Sequence, residues 1–332
     1  MTKNSRSKNG NISASSLSGR VIRTTGASYI VQPEDGSQTV DCRVKGKFRL
    51  KGIRTTNPVA VGDFVKFQPP VDSDFGYITE ISPRKNYIIR RASNLSKESH
   101  ILAANIDTAF LVATLKDPET PLIFIDRFLA TCEAYDVEAA LIINKIDILD
   151  DDYREVIDGL RNLYTGLGYG FYETSAETGV GIDELRQATK DRVSLFAGNS
   201  GVGKSSLINC LVPGLNLKTG KISDIHRTGM HTTTFSEMIP LPYGGQLIDI
   251  PGVKGFGTID FAPEEVSHFF PEIFRFGKDC RYADCRHINE PGCAVLPALD
   301  SHYISESRYA SYLNILEEAS EDTGSDKYRK AH

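Results

Sequence analysis

The stretch "GNSGVGKSS", Gly198–Ser206, satisfies G-x-x-x-x-G-K-S/T through Gly198, Gly203, Lys204 and Ser205. It follows the apolar run "VSLFA" and leads into "KSSLINCLV", the strand-to-helix setting in which this pattern has physical meaning. The glycines permit a tight loop with its amides turned inward. Backbone amides of Gly198, Asn199, Ser200, Gly201, Val202, Gly203 and Ser206, with the helix start behind them, suit phosphate oxygens. Lys204 is placed to reach β and γ phosphates, and Ser205 to hold Mg2+ through its hydroxyl.

Four other short strings complete a nucleotide chemistry. "NKID", Asn144–Asp147, ends the apolar run "AALIIN", where ligand loops gather in open α/β sheets. A carboxylate at Asp147 accepts the N1–H and 2-amino protons of guanine together, a pair that adenine lacks. This disfavours an ATP-specific site. Lys145 would lay its stem over the base and Asn144 would hold the loop, with Ile146 between them and Asp147. "SAETG" adds Ser175 and Ala176 as backbone contacts for the guanine oxygen. "DIPG" offers Asp249 to the magnesium shell through water and the Gly252 amide to the γ-phosphate. "GMHTTT" offers Thr233 as a Mg2+ ligand and γ-phosphate sensor, with Thr232 and Thr234 left open. Ras-type enzymes orient the attacking water with a Gln just after this acidic motif. Here Val253 stands there, so another residue or a partner must complete the site. His231 is the internal candidate, and the catalytic set is Lys204, Thr233 and His231.

Farther along, Cys280, Cys285, His287 and Cys293 form C-x4-C-x-H-x5-C. Four such donors within a short loop can close a tetrahedral zinc site with no open position, which makes the metal structural.

The elements that must carry these residues follow from periodicity. Residues 18–84 contain short Val-, Ile-, Phe- and Tyr-rich runs parted by Gly, Pro, Asp and Asn, as in a small all-β barrel of OB-fold type. Residues 105–257 alternate apolar strands with amphipathic helices, as in an α/β domain with a mostly parallel sheet. Residues 258–318 read as a small helical domain around the Cys/His loop. Residues 1–17 and 319–332 read as flexible tails and 85–104 as a connector. The chain is thus expected to be multi-domain.

The 332 residues carry a net charge of −5, but unevenly. Residues 1–98 hold 17 Lys and Arg against 8 Asp and Glu, and the remainder is acidic. A basic barrel, with its run "RVKGKFRLKGIR" from Arg43 to Arg54, suits a nucleic-acid backbone. No apolar run reaches membrane-span length and the N-terminus has no secretory h-region. Six cysteines without a disulfide-like pattern fit a reducing cytoplasm.

The order NKID, SAETG, GNSGVGKS, HTTT, DIPG is a rotation of the usual GTPase order, in which the phosphate loop comes first. With a basic barrel before it and a Cys/His knuckle behind it, the chain resembles the RsgA (YjeQ) family of circularly permuted, small-ribosomal-subunit-dependent GTPases. The resemblance implies a monomeric GTP hydrolase with Mg2+ and one structural zinc. It also implies stimulation by the 30S subunit during late subunit maturation, with barrel and zinc domain on ribosomal RNA. Two other readings stand beside it: a permuted GTPase with another ribonucleoprotein target, and a nucleotide-gated RNA binder with negligible turnover, which Val253 keeps open. The rotation also suggests a coupling route, since the DIPG strand leads directly into the C-terminal domain.

Overall fold

Runs that alternate apolar with polar residues give strands with one wet face, and continuous apolar runs give strands covered on both. Both kinds are present. The computed structural model describes residues 16–25, 28–44, 58–71, 73–91, 99–217, 236–250 and 261–329. The alternating strands are β1 (Leu17–Thr24), β2 (Tyr29–Pro33), β3 (Val40–Val44), β4 (Phe64–Gln68) and β5 (Gly76–Ile81). They bury Val21, Val31, Cys42, Val65, Phe67 and Ile78 in a common core. Pairing runs β1-β2-β3-β5-β4, and β4 returns to β1, closing a five-stranded barrel. Among the described barrel pairs only β3–β5 is parallel. Most of the basic run, from residue 45 onward, lies outside the described residues.

The stretch 85–104, expected as a connector, carries β6 (Tyr87–Arg91) and β7 (Ser99–Ala104), paired with each other. The physical reason is local: the short runs around Ile88 and Ile101 pair and satisfy each other's backbone groups. They also form the joint to the barrel. Gly62, at φ +93°, passes so close to the Ala104 carbonyl that a Cβ would lie 2.0 Å from its oxygen. Arg20 donates to the Gly62 and Asn105 carbonyls at 3.3 and 3.2 Å. Arg84 makes a buried two-pronged pair with Asp63 at 2.6 and 2.7 Å.

The α/β part contains β8 (Thr108–Ala113), β9 (Glu138–Ile143), β10 (Gly170–Glu173), β11 (Val193–Gly198), β12 (Glu237–Pro240) and β13 (Gln246–Asp249). Its order is β10-β9-β8-β11-β13-β12, parallel except for β12. β12 also pairs with β1 of the barrel at Arg23 and Glu237, so these strands and the barrel form one continuous hydrogen-bonded sheet. Helices α1 (Leu122–Ala134) and α2 (Asp152–Gly166) pack on one face, against Ala109, Leu111 and Ala113 of β8. Helices α3 (Ile182–Thr189) and α4 (Lys204–Leu211) cover the other, against Phe110 and Val112. The period of two in β8 thus serves two cores at once.

The stretch "PEEVSHFFPEIF" divides into a 3-10 turn, Val266–Phe269, and α5 (Pro271–Gly277). Pro271 lacks an N–H, so it starts a helix instead of continuing one. Then follow α6 (Val295–Asp300) and α7 (Glu306–Arg329). Residues 319–329, expected as tail, extend α7, since a helix nucleated and docked upstream propagates through polar sequence. This unit packs on α1, with Ala130 set among Phe261, Val266, Phe270, Ile273 and Tyr312.

At that contact sits a buried charge cluster. Arg308 of α7 donates to Asp126 of α1 at 2.9 Å and to both oxygens of Glu272 of α5 at 2.7 and 3.2 Å. Ser311 and Tyr164 donate to Asp126 at 2.5 and 2.9 Å. The guanidinium also lies 4.6 Å from the Phe270 ring centre. Burial alone would lower the Arg308 pKa, but Glu272 and Asp126 more than offset it and hold the cation. Removing one member of such a cluster strands the others without countercharge. Arg308→Met is therefore expected to cost about 3–5 kcal/mol of stability, measured by urea unfolding; a loss below about 1 kcal/mol would show that the carboxylates accommodate each other by protonation.

Candidate nucleotide site and metal centre

Strands β9, β8, β11 and β13 run parallel and adjacent, so the loops after them converge on one side of the sheet. β11 ends at Gly198 and α4 begins at Lys204, leaving Asn199, Ser200, Gly201, Val202 and Gly203 as the loop between. A Cβ on Gly198 would come 2.6 Å from the Val112 carbonyl oxygen, and one on Gly203, at φ +89°, 2.3 Å from Asn144 Nδ2. The loop therefore runs against β8 and against "NKID" with no room for side chains there. Ser205 and Ser206 follow on the first turn of α4, both half-buried. Lys204 is buried, and its ammonium pairs with the Asp249 carboxylate at the end of β13.

Asn144 joins three segments. Its side-chain amide donates to the Val202 carbonyl at 2.8 Å, and its side-chain oxygen accepts from Thr174 Oγ1 at 3.0 Å. Lys145 adopts φ +63° and its ammonium donates to the Asp117 carbonyl at 2.5 Å. The Ile146 amide donates to the Thr174 carbonyl at 3.3 Å. The exposed Asp147 carboxylate accepts from Ser175 Oγ at 2.5 Å, and that oxygen accepts from the Thr178 amide at 3.1 Å. Ser175 thus has a side-chain task, orienting Asp147, that the backbone role expected from its sequence does not include. The Ala176 carbonyl accepts from the Cys210 thiol at 3.5 Å, tying "SAETG" to α4.

The structure brings Asn144, Lys145, Ile146, Asp147, Ser175, Ala176, the phosphate-type loop, Ser205 and Asp249 together. His231, Thr232, Thr233, Thr234, Gly252 and Val253 lie outside the described residues. A turn from Thr114 to Thr120 also reaches this site, and sequence reasoning missed it. Its "TLKDPET" shows turn chemistry in Asp117 and Pro118, but nothing that points to a nucleotide.

Two family models match the chain: RsgA N-terminal domain over residues 18–78 and RsgA GTPase over residues 81–259. A protein of Bacteroides fragilis named small ribosomal subunit biogenesis GTPase RsgA is 55% identical over 316 residues, 95% of this chain and 100% of that protein. The chain belongs to the RsgA GTPase family. A Flavobacterium johnsoniae protein of the same name is 47% identical over 94% of this chain and 96% of that one. The crystal structure of YjeQ from Thermotoga maritima superposes with a TM-score of 0.73 at 35% identity, covering 92% of this chain and 98% of that one. YloQ, described as a circularly permuted GTPase, gives 0.70 at 29% identity, covering 95% and 99%. The order of this chain, with "NKID" after β9 preceding the 198–205 loop after β11, agrees with that permutation.

Past the end of the RsgA GTPase match lies the Cys/His cluster. The ligand atoms of Cys280, Cys285, His287 and Cys293 all lie within 4.8 Å of one another. His287 Nδ1 is 3.5 and 3.6 Å from the sulfurs of Cys280 and Cys293, which are 4.0 Å apart. A tetrahedral zinc ion with ordinary bond lengths needs S···N of about 3.5 Å and S···S of about 3.7 Å, so the donors fit. Burial lowers the His287 pKa, favouring the neutral ring that binds metal. A Cβ on Gly277 would stand 3.1 Å from that ring, so the bare end of α5 gives it its place. The backbone holding it is set by Tyr309 and Tyr312, which donate to the His287 and Arg286 carbonyls at 2.7 Å each. Burial pushes the Glu290 carboxyl up, yet amide bonds from Arg286, Ile288 and Asn289 outweigh it and hold its pKa down to about 2. By contrast, solitary Cys42 is pushed up to about 12 by burial, an inert core thiol.

Asn144→Ala removes the bond across the site and leaves the Val202 carbonyl without its partner. The expected outcome is a roughly tenfold or greater loss of GDP affinity with a nearly unchanged melting temperature of the C-terminal domain, measured by titration calorimetry and thermal unfolding.

Proposed function

We propose that this chain binds guanine nucleotide with Mg2+ and hydrolyses GTP to GDP and phosphate during maturation of the small ribosomal subunit, with turnover stimulated by that subunit. The observation that carries this is the convergence of Asp147, the 198–205 loop, Lys204 and Asp249 at one set of strand ends. Asp147, steadied by Ser175, accepts the two guanine donors. Loop amides and Lys204 hold the β and γ phosphates. A bound magnesium ion would supply neutralisation of the phosphate charge. Ser205, Thr233 and, through water, Asp249 would hold it. The Lys204–Asp249 pair gives each group a partner that nucleotide binding would exchange: Lys204 would pair with phosphate, and Asp249 would hold the cation through water. Gly252 meets the γ-phosphate and His231 assists the attacking water in this reading, and because Val253 has no group to orient water, a partner completes the site.

The barrel and the C-terminal unit are the proposed ribosomal RNA contacts. On the barrel, exposed Arg43 lies over the Phe75 ring at 3.8 Å. Arg281 and Lys278 lie beside exposed Tyr282 and Phe274 on the C-terminal unit. Cations interleaved with aromatic faces suit a phosphate backbone with unstacked bases. One zinc ion held by Cys280, Cys285, His287 and Cys293 closes the knuckle. No helix among the described residues is long and apolar enough to cross a membrane, and the proposed site of action is the cytoplasm.

GTP hydrolysis measured with and without purified 30S subunits tests the reading. A rise of more than about tenfold is expected. Binding of subunits without any rise would favour the nucleotide-gated RNA binder, and a response to the large subunit instead would favour another ribonucleoprotein target. For the metal, Cys285→Ser is expected to remove zinc, read by elemental analysis, and to lower the unfolding midpoint of the C-terminal unit.

A further inference from the structure

The turn from Thr114 to Thr120 belongs to none of the nucleotide motifs, yet it touches two of them. The Asp117 carbonyl accepts the Lys145 ammonium at 2.5 Å. A Cβ on Gly201 would lie 3.3 Å from Pro118 Cδ, so the proline ring rests against the phosphate-type loop. Asp117, Pro118 and Glu119 are exposed, but the threonines at either end are buried, at 0% and 4% exposure. Those threonines pin the turn. The Thr114 hydroxyl donates to the Pro118 carbonyl. The Thr114 amide donates to Thr120 Oγ1 at 3.1 Å, and the Thr120 amide returns to the Thr114 carbonyl at 2.8 Å.

A lysine that must lie flat over a base has a flexible four-carbon stem and a strongly hydrated head. Its usefulness depends on a fixed point beyond the base for the ammonium. A carboxylate there would neutralise the charge; a carbonyl fixes the head and leaves the charge in place. Asp117 offers its carbonyl. That carbonyl is aimed by the turn, and the turn is closed by Thr114.

We propose that the Thr114–Thr120 turn is a positioning element of the guanine-nucleotide site, and that Thr114 sets nucleotide residence time by holding the Asp117 carbonyl against Lys145 and Pro118 against Gly201. This rests on the nucleotide reading above. Thr114 touches no nucleotide; it acts through Lys145 and the loop.

The test is the release rate of fluorescent GDP from the full chain by stopped flow. Thr114→Val keeps the volume and deletes the hydroxyl; release about tenfold faster is expected. Thr114→Ser restores the donor and should release within about twofold of wild type. Lys145→Met keeps the stem and deletes the ammonium, and in that background Thr114→Val should add less than about threefold. Thr120→Val, which removes the oxygen met by the Thr114 amide, probes the same turn should Thr114→Val fail to fold, with the same acceleration expected. Wild-type release from Thr114→Val, or the same tenfold effect with and without the Lys145 ammonium, would overturn the proposal while leaving the nucleotide reading standing. A wild-type chain that binds no GDP would overturn both.

Discussion

The bond from the Asn144 side chain to the Val202 carbonyl spans 58 residues of sequence in 2.8 Å. In this permuted chain "NKID" and the 198–205 loop reach their places from separate parts of the sequence, and side-chain contacts must lock them together. Asn144 is suited to this because an amide both donates and accepts. It holds the loop by its nitrogen and Thr174 by its oxygen, and Gly203 makes way for it. The parallel pairing of β11 with β8, and of β8 with β9, sets the distance that this one side chain closes.

The same economy recurs at larger scale in α1. The turn that reaches Lys145 and Gly201 leads directly into this helix, and the C-terminal unit packs on its outer side around Ala130. The nucleotide site and the Cys/His unit therefore share one rigid element. The route suggested by the sequence, from the DIPG strand straight into the C-terminal domain, passes through residues 251–260, which lie outside the described residues. The described attachment is α1, through an apolar patch and the Arg308 cluster.

What was legible in the sequence follows from range. β8 and β11 are continuous apolar runs, and the phosphate-type loop and "NKID" are punctuated by glycines or fixed by spacing, so local pattern suffices. The barrel was legible from its alternation, although its joint was not: "KNYIIRRASN" looks like a linker until β6 meets β7. Arg308 and Asp126 were invisible for a different reason. In "SESRYASYL" and "IFIDRFL" each reads as a surface charge on an amphipathic helix, and only the helix–helix contact buries them together. The Thr114–Thr120 turn was hidden because backbone carbonyls carry no sequence signature.

The Arg308 cluster has a consequence for how the chain is made. Asp126 is synthesised 182 residues before the guanidinium that neutralises it. A carboxylate without its partner stays hydrated or protonated instead of being buried. The strands and the inner side of α1 can assemble earlier, but the outer side of α1 stays wet until α7 has emerged. Long-range pairing of this kind is formed late and slows closure. The helix that appears first in the chain is thus among the last to be sealed.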